Sequence, residues 1–172
     1  MNKIDYNDYF MAMCYLVSQR SPDPSTKCGA ILIDRNHKVL STGYNGPIRG
    51  IDDTKVPLVR PAKYAHMLHA EENCILSYNG GRQDLEGSTM YITGAPCHKC
   101  LRMIIQKGIF NIVYSDANLA VMQDVEEQSH CQLMLDYAPH VKVTILKNLP
   151  QIVNLFGVTI DYIKSKNPSK FS

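Results

Sequence analysis

The sequence predicts an α/β protein: a three-layer α/β/α sandwich around a mixed five-stranded sheet. Two observations carry this prediction. Some segments repeat apolar residues at three- and four-residue spacing, which is typical of helices, and short runs rich in β-branched and aromatic residues lie between them. After an opening helix and a hairpin, helices and strands alternate along the chain, an order that builds a sheet covered by helices.

The composition is that of a globular protein. With 172 residues, 45% apolar and 20% charged, the chain is expected to form one domain over residues 1–172, with a core over about 5–146 and an extension over 147–172. A net charge of +2 is too small to favour nucleic acid or an anionic membrane as the partner.

The compartment is predicted from what the sequence lacks. No run of about 18 apolar residues could cross a bilayer, and the first residues lack the apolar region of a signal peptide. We therefore expect a cytoplasmic protein, or one of the host cytoplasm if its source is viral. Thiols stay reduced there, so the six cysteines are expected to be buried groups, metal ligands or nucleophiles.

The first half of the chain begins with an amphipathic helix over 5–20, which the prolines of 21–26 interrupt. Two β-rich runs, 29–34 and 38–44, surround the turn "RNH" and predict a hairpin. The long polar stretch "NGPIRGIDDTKVPLVRPAK" then predicts a loop.

The second half alternates between helices and strands. A helix begins within "MLHAEENCIL" and is expected to stop at Gly80-Gly81. The later predicted elements are a strand over 88–94, a helix from Pro96 to about Lys107, a strand over 109–115, a helix over 121–138, a strand over 141–146, and one short helix with a tail.

Two cysteines with the spacing of metal ligands, Cys97 and Cys100, lie in "GAPCHKCLRM" at the start of a predicted helix. Residues three apart at a helix start share one face, so both sulfurs can reach one ion. The pair alone also fits a redox dithiol or half of a zinc ribbon. No other cysteine pair completes a ribbon.

A histidine and a carboxylate open the other helix. His69, Cys97 and Cys100 make three ligands, and three protein ligands with one open position define a catalytic zinc site. Glu71, two residues after the histidine, would face the water on the metal and move protons. His-x-Glu followed by Pro-Cys-x-x-Cys is the pattern of zinc nucleobase deaminases. We predict one Zn²⁺ per chain and catalysis by Glu71, with His66 outside the ligand set.

Several motifs resemble one family, the deoxycytidylate (dCMP) deaminases of the cytidine deaminase-like superfamily. These are "SQRSPDPSTKCGAIL", "GYNGP", "HAEENCIL" and "APCHKCLRMIIQKGI", and the resemblance is dense from about residue 9 to 116. It implies hydrolysis of dCMP to dUMP and ammonia, which supplies dUMP for dTMP synthesis. It also implies that Asn45 bonds the deoxyribose, with Ser25 and Thr26 near the nucleotide.

Binding of the 5′-phosphate and of the effectors would require further residues. Arg20 is our candidate for the phosphate, because a guanidinium fork suits a phosphate better than an ammonium does. The resemblance also implies a homohexamer that dCTP activates with Mg²⁺ and dTTP inhibits, at a site near "GYNG" and the loop after it. The candidate residues for that site are Gly46, Asp52, Asp53, Lys63, His66 and Glu72.

Other functions remain open from the sequence alone. A cytidine, deoxycytidine or dCTP deaminase would carry the same zinc motifs, although Arg20 and "GYNG" favour a nucleoside monophosphate. A nucleic-acid editing deaminase would need a basic groove with stacking aromatics, and the chain has no Trp. A non-catalytic nucleotide sensor could keep the zinc but would have no need of Glu71.

Overall fold

The computed structural model describes residues 3–116 and 125–147, and the backbone of two later strands. The helices and strands are, in chain order, α1 (Tyr6–Ser18), β1 (Gly29–Ile33), β2 (Val39–Tyr44), β3 (Gly46–Pro47), β4 (Met67–Leu68), α2 (Ala70–Leu76), β5 (Thr89–Ile92), α3 (His98–Lys107), β6 (Asn111–Ser115), α4 (Val125–Tyr137), β7 (Lys142–Leu146), β8 (Ile152–Leu155) and β9 (Val158–Asp161).

The main sheet has five strands in the order β2-β1-β5-β6-β7. Strand β1 runs antiparallel to β2 and β5, whereas β5, β6 and β7 are parallel to one another. The two parallel connections each contain a helix, α3 or α4, as a crossover requires. The predicted mixed five-stranded sheet is confirmed.

Helices cover both faces of this sheet. On one face, α1 packs Phe10 and Cys14 against Ile31 and Val113. On the other face, α2, α3 and α4 cover a second apolar cluster that includes Leu32. All five residues of β1 are buried, because a central strand of a three-layer sandwich has protein on both sides. In the described part of the chain, no helix combines the length and hydropathy needed to span a bilayer.

Helix α2 lies very close to β2, and Gly43 makes this approach possible. A Cβ atom at Gly43 would overlap the backbone of Ala70 and Cys74. A glycine in a strand interior often marks such a close backbone approach. The contact is continued at the end of β2, where Asn73 Nδ2 of α2 donates to the carbonyl oxygen of Tyr44 at 2.8 Å.

The long connection between β2 and α2 is closed at its base. Strands β3 and β4 pair antiparallel, with Gly46 opposite Leu68, and Ile48 N donates to His66 O at 3.0 Å. The sequence predicted only a loop here, because two-residue strands are too short to show a periodic pattern. The ladder brings residue 46 next to the residues that lead into α2.

Two predictions about helices were wrong. Helix α2 stops at Leu76 and not at Gly80, since Ser77 caps it by donating its N–H to Asn73 O and Ile75 O. The short helix predicted after residue 147 is also wrong at residues 152–155 and 158–161. Those residues form β8 and β9, which pair antiparallel.

The C-terminal error has a physical reason. Both segments are rich in β-branched residues, which lose side-chain freedom in a helix and favour strands. Residues 117–124 and 162–172 lie outside the described part, and so does the predicted start of the helix over 121–138. The other predicted helices and strands are present, with ends within two residues of prediction.

Candidate active site

The starts of α2 and α3 converge beside the end of β5. His69 is the N-cap of α2, and the Glu72 carboxylate accepts a hydrogen bond from the backbone N–H of His69 at 2.7 Å. Cys97 is the N-cap of α3, and its carbonyl oxygen accepts from Leu101 N at 2.8 Å. Both helices therefore present predicted ligands from their first residues. Glu72, a predicted effector residue, caps α2 here.

The three predicted metal ligands meet in space. His69 Nδ1 lies 3.6 Å from Cys97 Sγ and 3.4 Å from Cys100 Sγ, and the three donor atoms all lie within 4.8 Å of one another. Zinc bonds of about 2.1 Å to nitrogen and 2.3 Å to sulfur at tetrahedral angles separate such donors by about 3.6 Å. The donor set and its spacing fit zinc. Among the described residues, no other group of three His, Cys, Asp or Glu donors is so closely spaced.

The protonation of these groups reflects their contacts. A hydrogen bond from Cys100 lowers the pKa of the Cys97 thiol to about 4, and His69 acts in the same direction. The same bond raises the pKa of Cys100. The hydrogen bond to Cys97 raises the pKa of His69 to about 9. One thiolate is thus already favoured, and thiolate is the form of cysteine that binds metal.

Glu71 is buried next to this donor group. Its residue is only 5% exposed, and burial raises the pKa of its carboxyl to about 7. A carboxyl that titrates near neutral pH is suited to general acid and base work. Glu71 lies in the first turn of α2, two residues after His69, which is the N-cap of that helix.

The predicted nucleotide residues Ser25 and Thr26 lie in a turn that Asp23 organises. We call residues 21–28 the substrate turn. Asp23 Oδ1 accepts from Ser25 N and Ser25 Oγ, both at 2.8 Å, and from Thr26 N at 3.3 Å. This is the side-chain-to-backbone bonding by which Asp stabilises tight turns. Ser25 is exposed and Thr26 is half-buried, so both can be reached from outside.

Asn45, the predicted deoxyribose contact, holds the same turn. Its Nδ2 donates to Thr26 O at 2.9 Å, and its Oδ1 accepts from Cys28 N at 2.7 Å. Ser21 Oγ also donates to Asn45 O at 2.7 Å. Through its side-chain amide and its backbone carbonyl, Asn45 thus joins the end of β2 to both ends of the turn. Arg20, the phosphate candidate, is exposed directly before the turn.

The six predicted effector residues have different surroundings. Lys63 is buried, with its Nζ atom 2.5 Å from Asp23 Oδ2, and Glu72 caps α2. Asp52 lies at the surface and pairs with Lys55 at 3.0 Å. The remaining three are Gly46, which is buried in β3, and Asp53 and His66, which are both exposed.

Sequence reasoning missed two residues that organise the site, Asp23 and Glu127, and it assigned a third, Lys63, only to the effector site. Asp23 and Lys63 form a buried ion pair, and Glu127 of α4 bonds both the backbone N–H and the ring of His98, whose Nδ1 lies 2.7 Å from Glu127 Oε2. A local signal existed only for Asp23, because Asp followed by Ser and Thr at two and three residues favours a turn. The other two act across long sequence separations.

A cavity of about 200 Å³ lies beneath α4, lined mainly by apolar side chains that include Leu101, Ile112 and Leu135. None of the three predicted zinc ligands lines it, and neither does Glu71. The predicted zinc ligands and Glu71 lie instead at the converging helix starts.

The chain is similar to proteins whose names describe one chemistry. The family model for the "Cytidine and deoxycytidylate deaminase zinc-binding region" matches residues 5–116, which include all the predicted zinc ligands. A deoxycytidylate deaminase of Pongo abelii is 32% identical over 173 residues, covering 97% of this chain and 92% of the relative.

Solved structures of other proteins have a similar fold. The dCMP deaminase of cyanophage S-TIM5 in its apo form has a TM-score of 0.61 and 25% identity, covering 84% of this chain and 100% of the phage chain. The same phage protein in complex with dCMP and dUMP gives 0.60 and 24%, covering 86% of this chain and 100% of that one.

Proposed function

Because this chain belongs to the deoxycytidylate deaminase family, we propose that it hydrolyses dCMP to dUMP and ammonia with one zinc ion per chain. Family membership makes the chain a hydrolytic deaminase. The observation that carries the proposal is the donor group of His69, Cys97 and Cys100 with Glu71 buried beside it.

The proposed chemistry divides between the metal and the protein. Zinc, when bound, supplies the Lewis acidity that makes water a nucleophile at neutral pH. The Glu71 carboxylate accepts a proton from the water whose oxygen attacks C4 of the base, and passes that proton to ring nitrogen N3. Glu71 then transfers the second proton of the water to the 4-amino group, so that the C4–N bond breaks and ammonia leaves.

The nucleotide is proposed to lie against the substrate turn. Ser25 and Thr26 offer hydroxyl groups there, and Asn45 reaches the turn from the end of β2. Arg20 is the proposed partner of the 5′-phosphate, since it is exposed directly before the turn and carries a guanidinium group. These contacts would favour the monophosphate over the nucleoside.

Regulation and assembly follow from the family resemblance. We propose activation by dCTP with Mg²⁺ and inhibition by dTTP at a site that includes the loop after β3, where Asp52, Asp53 and His66 are exposed. We also propose a homohexamer, a cytoplasmic location, and a role in supplying dUMP for dTMP synthesis. No nucleic-acid partner is proposed.

The test is ammonia release from dCMP, dCTP, deoxycytidine and a cytosine-containing single strand, each with and without dCTP and Mg²⁺. Turnover of dCMP that rises when dCTP is added supports dCMP as the substrate and dCTP as the activator. A hyperbolic dCMP curve that dCTP does not move would remove the regulatory claim. Turnover of deoxycytidine alone would support the cytidine deaminase alternative and overturn the role of Arg20.

Arg20 has a direct test. Arg20→Ala should weaken use of dCMP about 10-fold or more while leaving use of deoxycytidine little changed, because only the nucleotide carries the phosphate. Arg82→Ala removes another exposed arginine and serves as the control. Equal losses on both substrates would exclude the phosphate contact. If zinc-loaded protein turns over none of the substrates but binds them, the sensor alternative is favoured.

A further inference from the structure

A buried ion pair joins two segments that lie far apart in the sequence. Lys63 Nζ lies 2.5 Å from Asp23 Oδ2, and both side chains are only 4% exposed. Burying a lysine is costly unless a counter-charge and further hydrogen bonds compensate. Here Lys63 Nζ also donates to Ser25 Oγ at 3.0 Å, so the ammonium is held at two points.

The pair joins a loop to the substrate turn. Lys63 belongs to a short 3-10 turn, Ala62–Ala65, within the connection between β3 and β4, which we call the effector loop (residues 48–66). Asp23 is the residue that shapes the substrate turn, since it accepts from Ser25 and Thr26. A cation from the loop therefore holds the carboxylate on which the turn depends.

The same loop is also fixed next to the proposed metal ligand. The β3–β4 ladder and the bond from Ile48 N to His66 O close its base, three residues before His69. The substrate turn is joined to α2, the helix of Glu71, as well. Asn45 bonds Thr26 O and Cys28 N of the turn, and the carbonyl oxygen of the preceding residue, Tyr44, accepts from Asn73 Nδ2 of α2 at 2.8 Å. Loop, turn and α2 are thus neighbours.

We propose that Lys63 is a positioning residue: it ties the effector loop to the substrate turn, so that the order of the loop sets the affinity of the turn for its nucleotide. This assigns Lys63 a structural link inside the protein in place of a direct contact with an effector. The link stands on the geometry alone, whereas the binding of a nucleotide by the turn rests on the proposed function.

Three variants test the contacts that Lys63 makes. Lys63→Met keeps the apolar length of the side chain but removes the charge and both hydrogen bonds. A double variant, Lys63→Met with Asp23→Asn, removes both charges and separates the loss of the link from the penalty of an unpaired buried carboxylate. Lys55→Met is the matched control, because Lys55 lies in the same loop and pairs with Asp52, but with its side chain 82% exposed.

The first measurement is amide hydrogen exchange of the ligand-free proteins, well below the unfolding temperature of each. Lys63→Met and the double variant should speed exchange in both the effector loop and residues 21–28, whereas Lys55→Met should change neither. Faster exchange in the loop alone would overturn the link. The link would also be overturned if either Lys63 variant showed unchanged exchange in the loop and in residues 21–28.

The second measurement is steady-state kinetics with dCMP at equal zinc content. A positioning role predicts a rise in KM of about 10-fold for both Lys63 variants, within the range of coupling between sites, and a kcat within about twofold of the starting protein. A lower kcat with unchanged KM would show a loss of active protein and overturn the positioning role. If the starting protein turns over no substrate, the proposed function fails, while the exchange result still decides the link.

Discussion

Glu71 is the residue on which the proposed chemistry depends most. Glu71→Gln keeps the shape of the side chain but cannot accept the proton of the water. We expect kcat for dCMP to fall by about 10²- to 10⁴-fold, the usual contribution of a general acid or base. Metal analysis should show unchanged zinc, because Glu71 is not among the three donors.

The control for this substitution is Glu86→Gln, since Glu86 is an exposed carboxylate outside the site. It should leave kcat within the error of the assay. Nearly full activity of Glu71→Gln, with zinc bound, would remove Glu71 from the mechanism.

Asp23 makes the stability of the protein depend on acid pH. Burial would raise the pKa of its carboxyl, but hydrogen bonds from Lys63 and Ser25 outweigh burial and lower the pKa from 3.8. The stabilisation is therefore fully present above pH 3.8 and is lost as pH falls through the lower, folded-state pKa.

Urea unfolding of the starting protein and of Asp23→Asn, measured at several pH values, tests this effect. At neutral pH the variant should lose about 3 kcal/mol of unfolding free energy, because Lys63 is left buried without its counter-charge. The difference should shrink below pH 3.8 as Asp23 becomes protonated in the starting protein. A constant difference across that range would contradict the prediction.

At the scale of elements, the close packing of α2 on β2 positions His69. Gly43→Ala should push α2 away from the strand, because the added Cβ meets backbone atoms that cannot move aside. We expect a loss of about 1–3 kcal/mol in unfolding free energy together with weaker zinc retention against a chelator.

Gly81→Ala provides the comparison, since the atoms nearest to a Cβ there belong to the flexible side chain of Gln83. It should leave zinc retention unchanged. If Gly43→Ala retains zinc as well as Gly81→Ala, the packing of α2 does not control the ligand.

A second contact between elements fastens α4 to the start of α3. Glu127 accepts from the backbone and from Nδ1 of His98, which stands between the two cysteines. Glu127→Gln should lower the unfolding free energy by about 1–2 kcal/mol, because hydrogen bonds to a charged group are lost.

Glu126→Gln, one residue earlier on α4, is the matched variant. Its side chain is 84% exposed and pairs with His130 at 3.6 Å, so the expected loss is below about 0.5 kcal/mol. Equal effects of the two substitutions would show that the contact between α3 and α4 contributes nothing of its own.

For the whole molecule, zinc should act as a link between distant parts of the chain. Its proposed ligands come from the starts of α2 and α3, with β5 between them in sequence. A metal that binds only the folded state stabilises by about 2.7 kcal/mol when its free concentration is 100 times the Kd.

Removal of zinc by a chelator should therefore abolish ammonia release and lower the midpoint of urea unfolding. Both should return with Zn²⁺ and not with Mg²⁺, because the soft sulfur donors select against Mg²⁺. If the protein keeps full activity when metal analysis finds no zinc in it, the proposed zinc site is excluded.

The sequence by itself determined the fold class, the order of the helices and main-sheet strands over residues 6–115, and the three residues that are proposed to bind metal. These features are local: helical and strand spacing sets each element, and Cys97 and Cys100 are three residues apart at a helix start. The same local reasoning failed for 152–161, where β-branching outweighed the helix prediction.

Only the tertiary structure decided which distant groups meet. His69 reaches Cys97 and Cys100 because parallel pairing of β5 and β6 and the packing of α2 on β2 bring two helix starts together. Lys63 had been predicted at the effector site, and the structure buries it against Asp23, 40 residues earlier. No periodic pattern encodes such a pair, because its stabilisation comes from the attraction between two charges that only the folded chain brings together, and this attraction must offset the cost of burying them.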